Sequence, residues 1–416
     1  WASKSVDMLA QRCTLEGFHL PGTDDDPFGV QSIWRENRLS IEAPQAHVSA
    51  LIHATAFLTT TLGDTAAGEP QVLVTARSAM SATGIWSRRL RRLTSSLAVT
   101  DCDAYGISEM TLYLPDQVIV MRRQATSRWD IRRTAHALGR VPVEPLVYRP
   151  NLDRPFGSSR ITRASMSIID TAVRTALRTE VSAEFFAAPQ RYMLGVDADA
   201  FATADDGTTR GWEAIIGRML AIGRDEDGNI PTVNQFPQMS MEPHLAQLRQ
   251  IATRFAGETN LPIAALGVVQ DNPSSAEAMD AADSYLIGEA EWAQDVFGFA
   301  WAQTARNAIA LRDNLGQPPA ELGLLESKWR DAKTPSRAAA ADATMKIVTA
   351  FPWLADTRVA LEQIGWNKAT VDRAMADKRT AGLQALIAKL PAAAPPTQNP
   401  ATPPPQPETA PDDLAR

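Results

Sequence analysis

The sequence predicts an α+β protein, in which helices and an antiparallel sheet form the first third of the chain and helices dominate the rest. Three observations predict this class. Apolar residues recur at helical spacing near the start, short strand-like runs follow them, and long helical patterns occupy most positions after residue 160. With 416 residues, of which 44% are hydrophobic, the chain is long enough for two or three domains or for one extended subunit of several parts.

The composition argues against several classes of protein. The longest apolar-leaning stretch, Ala50 to Leu62, contains His53 and several threonines, so no membrane span is predicted. The start of the chain has no signal-peptide pattern, and because it begins at Trp1 without an initiator Met we expect its natural start to be missing. Cys13 and Cys102 fit neither a disulfide framework nor a metal-ligand spacing, which indicates a reducing compartment. A net charge of −7 argues against a protein that coats nucleic acid, but not against one that DNA slides past.

The first third of the chain is predicted to contain three helices and an antiparallel sheet. The helices are expected at Ser3–Cys13, Val30–Asn37 and Ala43–Thr55. The strands are expected at Leu15–Leu20, Gln71–Arg77, Met110–Leu114 and Gln117–Arg123, with the last two closed as a hairpin at Pro115-Asp116. The same region contains two groups of arginines. The first is Arg88, Arg89, Arg91 and Arg92, and the second is Arg122, Arg123, Arg128, Arg132 and Arg133. They form either a solvated edge or an electrostatic patch that faces a neighbouring subunit or DNA.

The middle of the chain is predicted to hold two helices and a small module between them. A Pro- and Gly-rich stretch at His136–Ser159 is predicted to be a strand plus a connecting loop, and it marks a boundary. The helix at Thr162–Phe186 carries an apolar stripe of residues three or four apart, namely Met166, Ile169, Val173, Leu177, Val181 and Phe185. Short strand-like pieces and turns at Gln190–Phe236 indicate an inserted α/β module, and a second helix follows with Pro243 in its first turn.

A long acidic stretch follows that second helix. Residues 255 to 305 contain no Lys or Arg but eight acids, namely Glu258, Asp271, Glu277, Asp280, Asp283, Glu289, Glu291 and Asp295. The first part, Leu261–Ala276, is predicted to be a loop. A capping box at Ser274 and Glu277 then begins a helix that reaches Leu311, about 55 Å long at 1.5 Å per residue. Its apolar residues predict one packed face, and its acids predict one solvent-exposed acidic side.

No catalytic motif is recognisable in the sequence. It has no phosphate-binding loop, no nucleophile elbow and no His-Glu-x-x-His pair, and its five histidines are scattered. The acids lie in one loop-helix unit, whereas magnesium-dependent nucleases collect carboxylates from several strands. We therefore expect no enzyme, no metal site and no cofactor. After this unit, helices are predicted across Ala338–Leu390, and the Pro-rich segment Pro391–Arg416 is expected to be disordered or polyproline-like.

Two stretches resemble the portal proteins of tailed bacteriophages, in the subfamily of long-tailed phages that infect Gram-positive hosts. These stretches are Asp153–Gly195 and Phe236–Gln303, and the ordered pieces APQRYMLG, TNLPIAALG and NPSSAEA carry the resemblance most specifically. Weaker similarity covers most of residues 3 to 380. The N-terminal end typical of the family is absent, and the tail after Pro391 has no counterpart.

The resemblance implies a phage portal fold with named parts in chain order. These parts are an N-terminal α+β wing at 1–157, a stem helix at 158–187, an α/β clip at 188–236, a second stem helix at 237–258, a tunnel loop at 259–276, a long wing helix at 277–322, a helical crown at 323–390 and a disordered Pro-rich tail at 391–416.

The resemblance also implies a function. Portal subunits form a ring, usually of about twelve copies, at one capsid vertex, and double-stranded DNA passes through its channel during packaging and ejection. The implied partners are the terminase large subunit, a head-tail adaptor, and the major capsid and scaffolding proteins, without a membrane. The implied locations are the virion and, during assembly, the host cytoplasm. A virion structural or scaffold protein without a channel is the alternative.

Two groups of candidate site residues follow from this resemblance. The tunnel loop would approach DNA with Val268, Val269, Gln270, Asp271 and Asn272. The acidic channel candidates are Glu277, Asp280 and Asp283. Such acids would repel phosphate, so that DNA moves without adhering to the wall. Turn chemistry before Pro273 is an equally good account of Asp271 and Asn272, and both roles can coexist.

Overall fold

The computed structural model describes the chain except for residues 23–25, 125–127, 187–190, 196–227, 229, 231, 236–239, 269–275, 334–336, 367 and 390–416. The chain divides into two compact units, Trp1–Lys333 and Thr334–Arg416. The predicted tail and most of the predicted α/β module lie outside the described residues.

The helices of the first unit match the predicted positions closely. They are α1 (Ala2–Arg12), α2 (Val30–Glu36), α3 (Leu39–His53), α4 (Arg163–Phe186), α5 (Glu242–Thr259) and α6 (Ala276–Arg312). The 37 residues of α6 confirm the long helix that the acidic stretch predicts.

The strands described in the first unit form four antiparallel sheets. They are β1 (Leu15–His19), β2 (Thr55–Leu62), β3 (Val72–Ser78), β4 (Ala82–Ser87), β5 (Arg92–Asp103), β6 (Gly106–Tyr113), β7 (Gln117–Arg123), β8 (Trp129–Ala135), β9 (Val143–Val147), β10 (Arg191–Leu194), β11 (Thr232–Gln235) and β12 (Glu326–Trp329). The strand orders are β3-β2-β9, β4-β5-β6-β7-β8, β1-β12 and β10-β11. The mixed helix and strand content confirms the α+β class.

The sequence missed several of these strands. The predicted β1, β3 and β6-β7 hairpin are present, but β2, β4, β5, β8 and β12 were not predicted. β2 escaped because the first six of its eight residues are buried, so it lacks the alternation of a half-exposed strand. The preceding helix, α3, ends at His53, and the next residue, Ala54, has a positive φ of 73°.

The first unit has three layers, and the three-stranded sheet is the middle one. Ala56 and Leu58 of β2 pack into one hydrophobic core with α1, α3 and α6. Phe57, which points to the opposite face, packs into a second core with the five-stranded sheet. The helices therefore lie on one side of β2 and the five-stranded sheet lies on the other.

The five-stranded sheet has one buried face and one open apolar face. Ala98, Tyr113 and Val118 belong to the second core, so their neighbours along each strand point the other way. Those neighbours form two cross-strand rows of apolar residues on the other face of the sheet. In the described part of the chain these rows pack against neither core. We call this surface the outer sheet face; it consists of Ile85, Leu97, Val99, Met110, Leu112, Ile119, Met121 and Ile131.

The apolar stripe of α4 does not pack against α5. Helix α4 packs against α5, and its described buried side chains are small, namely Ser165, Ala172 and Thr175. Four residues of the predicted stripe, Met166, Val173, Leu177 and Val181, are exposed. The helix was predicted correctly, but among the described stripe residues only Ile169 packs against the main core.

The second unit is helical in its described part. It contains α7 (Arg337–Ala350), α8 (Arg358–Gln363) and α9 (Lys368–Lys389), and an ion pair between Arg358 and Asp372 joins α8 to α9. Val371 is fully buried in this unit. The helical region predicted at Ala338–Leu390 is confirmed over these ranges.

Candidate functional site

The predicted loop after α5 begins from a firmly held root. Asn260 ends α5 with a left-handed φ of 53°, and the amide of Leu261 donates to the Ala256 carbonyl at 3.0 Å. Leu261 is buried in the main core. A short 3₁₀ helix, Ile263–Leu266, follows and ends at Gly267, whose φ of 81° favours glycine. The first half of the loop is therefore anchored to the body of the first unit.

The predicted tip of this loop is mostly outside the described residues. Val268 is half-buried, whereas Val269, Gln270, Asp271 and Asn272 lie in the range that is not described. Their role stays a prediction.

The acidic channel candidates lie in the first turns of α6. Glu277 and Asp280 are part of the helix, but their side chains are outside the described residues. Asp283 accepts a hydrogen bond from Arg12 Nη2 at 2.6 Å and is partly covered. This ion pair joins α6 to α1 and compensates the charge of Asp283 locally, so that carboxylate is a weaker source of repulsion than an unpaired one.

The strongest polar cluster of α6 surrounds Glu289. Its Oε1 accepts hydrogen bonds from the Tyr148 hydroxyl, from the Arg160 guanidinium and from Arg149 Nη2, the last at 2.9 Å. Its Oε2 accepts from Asn260 Nδ2 at 3.2 Å. Four donors thus converge on one carboxylate whose side chain is only 7% exposed. We call this cluster the loop-root junction: Tyr148, Arg149, Arg160, Asn260 and Glu289.

Arg160 connects this junction to three other parts of the first unit. Its side chain is 2% exposed. Nε donates to the Ser5 carbonyl of α1 at 2.9 Å, and Nη2 donates to the Thr259 carbonyl at the end of α5 at 2.8 Å. Its own backbone amide donates to the Leu51 carbonyl of α3 at 2.8 Å. One side chain therefore fixes the end of α5, where the loop begins, relative to α1 and α6.

The charge state of the junction follows from competing effects. Burial raises the pKa of Glu289. Arg160, the Tyr148 hydroxyl and Arg149 lower it, and their combined effect is larger, so the pKa lies below its ordinary value. Burial also raises the pKa of Tyr148, which keeps its hydroxyl protonated as a donor. Glu289 is therefore ionised at neutral pH, and its charge is balanced inside the protein rather than offered to a ligand.

This geometry corrects the predicted acidic side of the long helix. Glu291 and Asp295 are exposed, but Glu289 points into the body and Asp283 is paired with Arg12. The acids consequently occupy several faces of α6. Sequence periodicity could not show this because the compensating arginines come from distant parts of the chain.

The titratable side chains of the core show no catalytic arrangement. Burial raises the pKa of the Cys13 thiol to about 12, which leaves it protonated and unreactive. Burial lowers the pKa of His47 to about 3, and its ring stacks on Phe297 with centroids 5.1 Å apart. Among the described residues there is no group of His, Cys, Asp and Glu suited to a metal ion, and no described helix is long and apolar enough to cross a membrane.

The sequence missed Tyr148, Arg149 and Arg160 as parts of this site. Tyr148 and Arg149 lie within the Pro- and Gly-rich stretch that is interpreted as a boundary, and Arg160 directly follows it. An arginine directly before a helix is usually solvated, so local sequence carries no signal for its burial.

Comparison with known proteins gives two consistent results at the sequence level. A family described as "Phage portal protein, SPP1 Gp6-like" matches residues 1–378. The portal protein of Mycobacterium phage D29 is 32% identical over 348 residues, which cover 82% of this chain and 70% of the relative. The portal protein of Mycobacterium phage L5 is 32% identical over 350 residues, with the same coverage of each chain.

Solved structures with similar chains include several from gene transfer agent (GTA) particles. A chain from the neck of an empty GTA particle computed with C6 symmetry has a TM-score of 0.49 and 13% identity, and the match covers 84% of this chain and 85% of that one. A chain from the neck of a native GTA particle computed with C12 symmetry has a TM-score of 0.47 and 14% identity, with the same coverage.

Proposed function

Since this chain belongs to the SPP1 Gp6-like family of phage portal proteins, we propose that it forms a closed ring of about twelve copies at one capsid vertex. Double-stranded DNA passes through the channel of this ring during packaging and ejection. The observation that carries the proposal is the family match over residues 1–378, which includes every element around the candidate loop.

The parts of the ring follow the chain order of the family. The layered α+β region is the wing, α4 and α5 are the stem helices, and residues 188–236 are the clip. The segment 259–276 is the tunnel loop, α6 is the long wing helix, and the helices of the second unit are the crown. The loop-root junction supports this assignment because it fixes both ends of the loop region to the wing: Asn260 lies at the start, and Glu289 lies in the helix that follows.

The proposed mechanism is mechanical and electrostatic. Gln270, Asp271 and Asn272 at the loop tip come closest to the duplex, and Glu277 and Asp280 add negative charge to the channel wall. A wall without Lys or Arg releases no counterions from DNA, so it does not bind the duplex tightly. DNA is then guided without being held.

The proposed partners follow from this position in the virion. The family is structural, so we assign ATP hydrolysis to a terminase large subunit that docks on the ring during assembly in the host cytoplasm. A head-tail adaptor replaces it in the mature particle, and the major capsid and scaffolding proteins surround the wing.

Native mass spectrometry and negative-stain electron microscopy of the purified chain test the ring. We expect a closed oligomer with a central hole. A chain that stays monomeric under all assembly conditions, or that forms an aggregate without a hole, would contradict the proposal and favour a virion structural or scaffold protein without a channel.

A charge change at the loop tip tests the channel residues. The double variant Gln270→Lys, Asp271→Lys should slow or block packaging because lysines in the channel would bind phosphate, while rings remain intact. The measurement is the DNA content per particle, with Met80→Lys, an 81% exposed position in the wing, as the control. An unchanged DNA content in the double variant would remove Gln270 and Asp271 from the tunnel tip.

A further inference from the structure

Among the described residues, neither hydrophobic core covers the outer sheet face. Ile85 and Ile131 are exposed, and its other residues are half-buried. Leu97, Leu112 and Ile119 are directly opposite one another on adjacent strands, and Arg133 of β8 extends this row. The second row consists of Val99, Met110, Met121 and Ile131. Contiguous apolar surface that stays partly accessible to solvent in this way marks an interaction site rather than an ordinary solvent face.

A second accessible surface lies on α6, where the Trp292 ring also makes an edge contact with Tyr148, with centroids 6.3 Å apart. Tyr285, Trp292 and Phe299 are spaced seven residues apart, so they share one side of the helix, and they are 75%, 41% and 71% exposed. Gly288 lies between the first two, and nothing lies within 4 Å of the position where a Cβ would be. We call Tyr285, Trp292 and Phe299 the aromatic stripe.

The two surfaces belong to opposite layers of the first unit. Helix α6 packs on one face of the three-stranded sheet, the face that carries Ala56 and Leu58. Phe57 lies on the opposite face, which packs against the five-stranded sheet. The aromatic stripe lies on the helix layer, and the outer sheet face points away from that layer. A head-to-tail contact between identical subunits requires two different surfaces on one subunit, and this arrangement provides them.

The charges around the two surfaces are opposite. Nine arginines and five acids lie between residues 79 and 135, which gives this sheet region a net charge of +4 in a chain whose total is −7. Next to the aromatic stripe, Glu291 and Asp295 are exposed and have no cationic partner among the described residues. Asp295 lies between Trp292 and Phe299 on the helix surface. Complementary charge of this kind fixes the register of a contact and disfavours wrong pairings.

We propose that the aromatic stripe of one copy docks on the outer sheet face of the next copy, with Glu291 and Asp295 beside the arginines of the sheet. This contact is heterologous, so its repetition does not end at a dimer, and it forms a ring when the rotation between neighbouring copies closes. The inference rests on the proposed ring and names the surfaces that build it.

Two single variants test the surfaces separately. Met121→Glu places a charge in the outer sheet face, and Phe299→Glu places one in the aromatic stripe. Each should lower the fraction of subunits in rings about tenfold or more, because a buried interface core does not tolerate an unpaired charge. Leu152→Glu is the control, since Leu152 is 94% exposed and lies on neither surface. Thermal unfolding must show that all three variants remain folded.

Mixing the two variants tests whether the surfaces bind each other. Met121→Glu keeps an intact aromatic stripe, and Phe299→Glu keeps an intact outer sheet face. An equimolar mixture should therefore give a 1:1 heterodimer by native mass spectrometry, whereas each variant alone stays monomeric.

The outcomes separate this inference from the proposed function. The inference would be overturned if the wild-type chain and both variants all formed normal rings, or if the mixture gave no heterodimers. Either result would leave the proposed portal ring unaffected. A wild-type chain that forms no ring would instead refute the proposed function.

Discussion

At the scale of single residues, the buried pair Arg160–Glu289 is the most consequential feature of the first unit. Both side chains are almost fully buried, and their remaining hydrogen-bonding capacity is used by Ser5, Thr259, Tyr148 and Asn260. A buried ion pair of this kind adds little stability over an apolar pair, but loss of one partner leaves an uncompensated charge. The junction is therefore best understood as a device that fixes geometry.

Removal of Glu289 should destabilise the protein strongly. Glu289→Ala leaves Arg160 buried without its counter-charge, and we expect a loss of about 3–5 kcal/mol in the free energy of unfolding. The matched control is Glu291→Ala, two residues away on the exposed side of α6, with a change within about 0.5 kcal/mol. Urea unfolding of both variants measures the difference, and similar losses in the two would contradict the role of the junction.

His47 should make stability depend on pH in the mildly acidic range. Its folded-state pKa of about 3 lies below the ordinary value of 6.5, so the unfolded chain binds one more proton between these values. The contribution is complete above pH 6.5 and is lost as the pH falls toward 3, with a slope of about 1.4 kcal/mol per pH unit at most. Unfolding free energies of wild type and His47→Gln between pH 6.5 and about 5 measure this slope. The exposed His53→Gln variant should keep it, and a slope that survives in His47→Gln would exclude His47 as the cause.

At the scale of elements, α6 determines how the main core of the first unit is packed. Leu286, Phe297 and Trp301 on its inner side are fully buried, and Trp301 Nε1 donates to His47 Nε2 at 2.9 Å. Small residues alternate with these large ones and let β12 approach closely. At Gly298 an added Cβ would lie 2.6 Å from Ser327 Oγ and 3.0 Å from Trp329 Nε1.

Two glycines of α6 should respond oppositely to the same substitution. Gly288→Ala should stabilise the chain by about 0.5–1 kcal/mol because alanine favours the helix and the site is open. Gly298→Ala should lose that gain and destabilise the chain, since the methyl group displaces Ser327 and its hydrogen bond with Trp329. Thermal unfolding of both variants checks this prediction, and equal stabilisation would show that β12 adapts freely.

At the scale of the whole molecule, both hydrophobic cores belong to the first unit. Every residue of the two buried clusters lies between Trp1 and Lys333. The first unit also contains β1 and β12, whose pairing joins its beginning to its end. Its core is thus complete without residues from the second unit.

A chain that ends at Lys333 should therefore fold. We expect cooperative thermal unfolding with a midpoint within about 2–4 °C of the first-unit transition in the full chain, which corresponds to about 1 kcal/mol for a domain of about 150–250 residues. Circular dichroism of the truncated and full-length proteins provides the measurement. A truncated chain without a cooperative transition would mean that the first unit depends on residues after Lys333.

The helices were more predictable than the sheets for a physical reason. The periodicity of α4 and α6 is local, so it could be recognised within a single segment of the sequence. Strands such as β5 and β8 gain their stability from cross-strand neighbours, and their own side chains do not reveal which partner or face they will have. The loop tip at Gln270 and Asp271 was inferred from family resemblance and stays a prediction.

The sequence by itself determined the long acidic helix, the position of the loop before it and, through ordered motifs, the portal family. Tertiary structure alone decided which acids are compensated and which apolar residues remain open. Arg160 and Glu289 are 129 residues apart, and no local pattern can report a charge that is balanced across such a distance. In the same way, periodicity identifies an apolar face on α4 or on the five-stranded sheet, but only packing shows whether this chain covers that face or leaves it for a neighbour.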